Sequence, residues 1–115
     1  MTDALHYVEC VEKAIWQEHF QSDQIPLDPK LRPEPRDGFR AHGAYMIQIG
    51  TLAMLAEAGI SGAVERGLRL VEYELATYTN LDGRVADLQE GDFWEGVNAQ
   101  GAPYREAEGV LYSDP

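Results

Sequence analysis

This 115-residue chain is short of positive charge. Nine lysines and arginines stand against 20 aspartates and glutamates, for a formal net charge of −11. Direct binding to nucleic acid needs a basic field that displaces counterions, and docking on anionic lipid needs the same; the composition excludes both. Cysteine is nearly absent too. Cys10 is the only one, so no internal disulfide staples the fold. With no basic-then-apolar leader in its opening residues, the expected address is a reducing cytoplasm.

Long apolar runs are also missing. The longest, AYMIQIGTLAMLAEAGI at 44–60, has 17 residues and carries Gln48 and Glu57, short of the roughly 20 apolar residues of a spanning helix. The chain further lacks a glycine-rich phosphate loop, a serine elbow, a CxxC pair and an HExxH helix, so it offers no standard grip on a nucleotide, a redox partner or zinc. No cofactor is expected.

The scarce positive charge has a position. Residues 26–42, PLDPKLRPEPRDGFRAH, hold Lys30, Arg32, Arg36 and Arg40 against Asp28, Glu34 and Asp37, and are the only region with a net positive sign. They also hold Pro26, Pro29, Pro33 and Pro35, four of the six prolines. Each proline lacks an N–H and pushes its predecessor out of the helical basin, which excludes helix and central strand. Residues 25–39 therefore read as a semi-rigid strap rising about 3 Å per residue, laid across an acidic body; a presented recognition segment is the alternative.

What is present is helical periodicity, enough for a single domain over 1–115. Residues 1–24 hold a first helix, 3–21, with Thr2 and Asp3 as candidate caps. Leu5, Val8, Val11, Ile15 and Phe20 form its apolar face, and Glu9, Glu12, Lys13, Gln17 and Glu18 its wet side. Residues 40–80 form a helical hairpin. Its first arm, 40–58, is apolar on every side, interrupted only by His42, Gln48, Thr51 and Glu57, and Gly59 closes it. The other arm, 61–79, starts at the N-cap candidate Ser61 and sets Val64, Leu68, Val71, Leu75 and Tyr78 in a core stripe, with Glu65 and Arg69 paired on its wet side. Residues 81–115 form an acidic, aromatic tail, irregular or weakly β, in which VADLQEGDFWEGV also reads as a short helix. Its Phe93, Trp94, Val97, Tyr104 and Leu111 are expected to fold back over part of the second helix.

The fold class is thus mainly α: a three-helix core around a central apolar helix, with a proline-rich strap between helices 1 and 2. That central helix has more apolar surface than two neighbours cover. A homodimer or obligate complex is expected, with Gly43, Ile47, Gly50 and Met54 at a close contact.

Three constellations bear on catalysis. His6 and Cys10 lie one helical turn apart, but His19 is off their face and leaves two ligands where a metal needs three or four. Glu9 and Glu12 resemble the acidic pair of helical nucleotide pyrophosphohydrolases, yet Glu72 and Glu74, the nearest second pair, diverge in direction. RDGFRAH brings Arg36 and His42 together as small helical ribonucleases do, though RNA would have to approach a strongly anionic molecule. A structural account of each is preferred.

The leading reading is a small acidic cytoplasmic protein that binds a basic protein, as an inhibitor, immunity factor or adaptor. If its carboxylates match phosphate spacing, it is a nucleic-acid mimic of the phage-counterdefence type. Asp87, Glu90, Asp92 and Glu95 are the contact candidates, with Phe93 and Trp94 as anchors. The alternatives are a small metal-dependent hydrolase or nuclease, and a non-catalytic accessory subunit.

Overall fold

A computed structural model describes residues 2–19, 30, 38–106 and 109–111. Apart from Lys30, Gly38 and Phe39, the predicted strap 25–39 lies outside the described residues. The molecule is mainly α, with helices α1 (Thr2–Trp16), α2 (Gly43–Glu57) and α3 (Ala63–Tyr78), and two short strands, β1 (Arg40–Ala41) and β2 (Gly96–Val97). Two compact units divide it: Met1–Phe20 with Gly43–Ala76, and Gln21–His42 with Thr77–Pro115.

The first unit is helical. α1 ends five residues earlier than its periodicity predicts, because Glu18 takes a left-handed conformation, φ 59°. The Glu18 N–H then donates to the Ile15 carbonyl and the His19 N–H to Ala14, the paired bonds of a Schellman stop. No glycine announces it. α2 stops the same way, here with the glycine the sequence offers: Gly59 has φ 77°, and the Gly59 and Ile60 amides donate to Ala56 and Leu55.

The core of this unit is Ile15 from α1, Tyr45 and Leu52 from α2, and Ala63 and Leu70 from α3, all buried. Tyr45 stacks on Tyr73 at 4.8 Å between centroids, and the Tyr73 ring meets Trp16 edge-on at 5.5 Å. Gln48, buried inside α2, donates from Nε2 to the Val8 carbonyl of α1 at 3.3 Å. Glu12 corrects the predicted wet side of α1. It is buried, and Arg66 of α3 grips its Oε2 through Nε at 2.8 Å and through a second nitrogen. That bond to Glu12 outweighs desolvation and raises the Arg66 pKa further.

The second unit is mostly turns and bridges. Arg40 and Ala41, predicted as the first turn of helix 2, are instead strand: Arg40 pairs with Val97 and Ala41 with Gly96, antiparallel, and the His42 N–H continues to the Glu95 carbonyl. A methyl group on Gly96 would strike the Phe39 ring, so only glycine fits β2 there. Further bridges join Thr79 to Phe93, Val97 to Pro103 and Arg105 to Leu111. The tail is therefore weakly β, and 85–97 is not a helix.

Asn80 organises this unit. Fully buried, it donates from Nδ2 to the carbonyls of Val85, Leu88 and Gln89, and its Oδ1 accepts from the Val85 amide. Its backbone N–H reaches the Asp92 carbonyl at 2.7 Å, and its carbonyl accepts from Gly83 and Gly91. One side chain thus bonds four backbone groups of a turn-rich loop; the Val85 and Gln89 carbonyls also accept from the Leu88 and Asp92 amides, whereas the Leu88 carbonyl and the Val85 amide rely on Asn80.

Candidate association surface

α3 carries the largest departure from the sequence reading. Its 4–3 stripe was expected to be core, but Val64, Leu68 and Leu75 are exposed at 56%, 56% and 43%. The buried side is Ala63 and Leu70, flanked by Arg66, Gly67 and Tyr73. Only Tyr78 of the stripe is buried, within the second unit. On α2, Met46, Ile47 and Met54 are exposed at 54%, 68% and 71%.

These side chains gather on one side of the hairpin. α2 and α3 run antiparallel: Tyr45 meets Tyr73, and a methyl on Gly67 would lie 3.6 Å from the Leu52 Cβ. On α2, Gln48 faces α1 and Leu52 faces α3; at 100° per residue, turning on past α3 leads to Met46, Gly50 and Ala53. On α3, Arg66 and Tyr73 face α1 and Gly67 faces α2; turning on past α2 leads to Val64, Leu68, Val71 and Leu75. Both sets face away from α1. Ile47 and Met54 border them on the outer side of α2, and Gly43 lies on that same side of its helix, one turn before Ile47.

An extended chain exposes about 1.45 Å² per dalton, which puts the open area of Met46, Ile47, Met54, Val64, Leu68 and Leu75 at about 600 Å². That is the upper end of the largest apolar patch on a typical monomer. Gly50 sits in the middle of α2, exposed, with nothing within 4 Å of an added Cβ. Between Gly43 and Ala56 the helix has no charged side chain.

The contact candidates of the second unit fare differently. Trp94 is 2% exposed, its indole N–H donates to the Thr77 carbonyl at 3.0 Å, and the Arg84 guanidinium lies 5.1 Å above its ring. It anchors its own unit, because a ring this large in a turn-rich fold supplies the core; it is not offered to a partner. Asp87 is held by Arg105 at 2.9 Å, and Asp92 accepts the Gln89 amide at 2.9 Å. Glu95 is half-buried. Phe93 is half-exposed, edge-on to His42 at 4.9 Å, and Glu90 is exposed. Of the six, Asp87, Glu90 and Phe93 are the exposed ones, Asp87 with its carboxylate held by Arg105.

The catalytic candidates are placed as follows. Cys10 Sγ lies 3.7 Å from His6 Nε2 on the exposed side of α1. Glu9 and Glu12 line an open depression of about 350 Å³ with Lys13, Trp16 and Arg66, and the Arg66 bond occupies Glu12. Beside it, the buried Trp16 indole N–H has no hydrogen-bond partner, and Arg69 lies 5.4 Å from the Trp16 ring. Burial pushes the Glu74 carboxyl up to about 7. His42 lies against Tyr78 and Phe93, while Arg36 is outside the described residues. Among the described residues no group of three or more histidine, cysteine or carboxylate side chains is set to hold a metal ion, and no helix is long and apolar enough to cross a membrane.

Compared with protein-family models, characterised proteins and solved structures, the chain matches none of them.

Proposed function

We propose that this protein acts by binding another protein, as an inhibitor, immunity factor or adaptor of the cytoplasm. The observation that carries the reading is the open apolar side of the α2–α3 hairpin. Exposed leucine, isoleucine and methionine on one contiguous face are what an association surface requires and what an isolated domain avoids. In the working assembly α1 covers one side of the α2–α3 hairpin and a bound surface covers the other.

Charge selects the partner. A chain of net charge −11 steers towards a basic surface, and such a field acts mainly on the association rate and its salt dependence. Asp87, Glu90 and Phe93 are the contact candidates of the acidic, aromatic tail that are exposed to meet it. If that partner is a nucleic-acid-binding protein, the same acidity makes this chain a mimic of its ligand.

The test is affinity capture by the tagged protein from a nuclease-treated lysate of its own cells, at low and moderate salt, read by mass spectrometry. A stoichiometric basic protein that weakens with salt is expected, and Glu90→Gln with Phe93→Ala should lower both its recovery and its salt dependence. Capture of no protein at either salt would overturn the reading.

A further inference from the structure

We infer that the occupant of the α2–α3 face is a second copy of this chain, packed antiparallel about a two-fold axis that crosses Gly50 and passes between Leu68 and Val71. The inference rests on the reading of this face as an association surface, and names its occupant.

The register carries it. A two-fold axis lying across a pair of antiparallel helices must cut both at the same height, with each helix's apolar set symmetric about that cut. In α2 the set is Met46, Ile47, Gly50, Ala53 and Met54, centred on Gly50, with Met46 and Met54 and then Ile47 and Ala53 equally spaced from it. In α3 it is Val64, Leu68, Val71 and Leu75, centred between Leu68 and Val71. The contacts inside the hairpin pair Leu52 with Gly67 and Tyr45 with Tyr73, which brings Gly50 level with residues 68–69, within about one residue's rise of the α3 centre. Both centres therefore fall at one height. A partner of unrelated shape imposes no such coincidence.

The pairing this axis generates fits in size and charge. Gly50 meets its own mate, so the two α2 backbones can approach without a side chain between them. Met46 opposes Met54 of the second copy, Leu68 opposes Val71, and Val64 opposes Leu75, so large apolar groups are covered on both arms. For a protein of net charge −11, self-association is repulsive wherever carboxylates meet. The α2 arm limits that: Glu57 is its only carboxylate, and it is brought to the N-terminal end of the second copy's α2, where the helix dipole favours an anion; on α3 the exposed Glu65 and Glu72 lie past Leu68, on the edge of the stripe away from α2. The roughly 600 Å² of apolar side chain is most of the about 800 Å² per partner in a stable interface. The product is a four-helix arrangement of two hairpins, with α1 on each outer side.

The test combines mass with cross-linking, in a Cys10→Ser background so that introduced thiols report alone. At micromolar concentration the wild type is expected to have twice the 12.8 kDa chain mass. Leu68→Lys, whose side chain is exposed in the single chain, should keep its helical circular dichroism while dimerisation weakens about 100-fold, since symmetry counts the change twice. Gly50→Cys should form a disulfide dimer under mild oxidation. Gly43→Cys should not, because its mate would lie about 21 Å away at 1.5 Å per residue.

Cross-linking through Gly43→Cys but not Gly50→Cys would overturn the register. A wild-type monomer at 100 micromolar would overturn the second copy as occupant. In that case, loss of partner capture in Leu68→Lys leaves the association reading standing, and unchanged capture removes that as well.

Discussion

The two units solve the same problem in opposite ways. The helical unit satisfies its backbone within its helices and buries Glu12 and Gln48 against partners on neighbouring helices, but leaves large apolar groups in water: Tyr7 and Val11 on α1 as well as the α2–α3 face. The turn-rich unit has almost no regular structure, yet its Trp94, Tyr78 and Phe39 are buried and its loop carbonyls converge on Asn80. Regular secondary structure is therefore a poor guide to which part of this molecule is self-sufficient. The loops are closed by specific polar bonds, whereas the helices are regular and incompletely covered.

Asn80→Ala probes that contrast hardest. It removes the bonds to the Leu88 carbonyl and the Val85 amide and the second bonds to the Val85 and Gln89 carbonyls, all made by a fully buried side chain, and is expected to cost about 4 kcal/mol, read as a fall in urea midpoint. A loss under 1 kcal/mol would mean that the loop does not depend on this side chain. Within α3, Leu70→Ala should cost about 3 kcal/mol by leaving a cavity in the core. Leu68→Ala, two residues earlier, should change the unfolding free energy of the monomer by less than about 0.5 kcal/mol. Equal losses would show that the exposed stripe is covered within one chain.

Glu74 gives a pH signature to the helical unit. Its carboxyl is raised from an ordinary 4.5 to about 7 by burial, so the folded state holds the proton more tightly than the unfolded state. Its contribution is complete below about pH 4.5 and is lost as pH rises through about 7. Thermal melts of Glu74→Gln should show a flatter slope than wild type across that window and greater stability at pH 8; identical slopes would refute the assignment. The smallest effect belongs to the end of α1. Glu18→Gly relieves a left-handed conformation and should stabilise by about 0.5–1 kcal/mol, whereas destabilisation would contradict the Schellman geometry.

Periodicity made the helices legible, and Gly59 marked one end. What it cannot report is the neighbour. The stripe Val64, Leu68, Val71 and Leu75 is a real apolar line, but spacing says only that something covers such a line, not that the same chain does. Glu12 was read as wet because its partner Arg66 is distant in sequence and near only in the fold. Arg40 and Ala41 read as helix because a two-residue strand has no period of its own. Asn80 looked like an ordinary turn residue; the four bonds of its side chain exist only once the loop has closed. Of the exposed apolar face, Ile47, Gly50 and Met54 stand out from the uniform apolarity of α2, whereas the α3 half reads as core from its spacing alone.

The account turns on the α2–α3 face being covered in the working protein. Met46 and Met54, at 54% and 71% exposure in the single chain, report on this directly, because thioether oxidation by dilute peroxide follows access to the sulfur. Their oxidation rates should be measured by peptide mass spectrometry from 0.1 to 100 micromolar protein. The account predicts rates that fall several-fold across that range in wild type and stay high in Leu68→Lys. Equal, fast oxidation of both methionines at every concentration in wild type would contradict it.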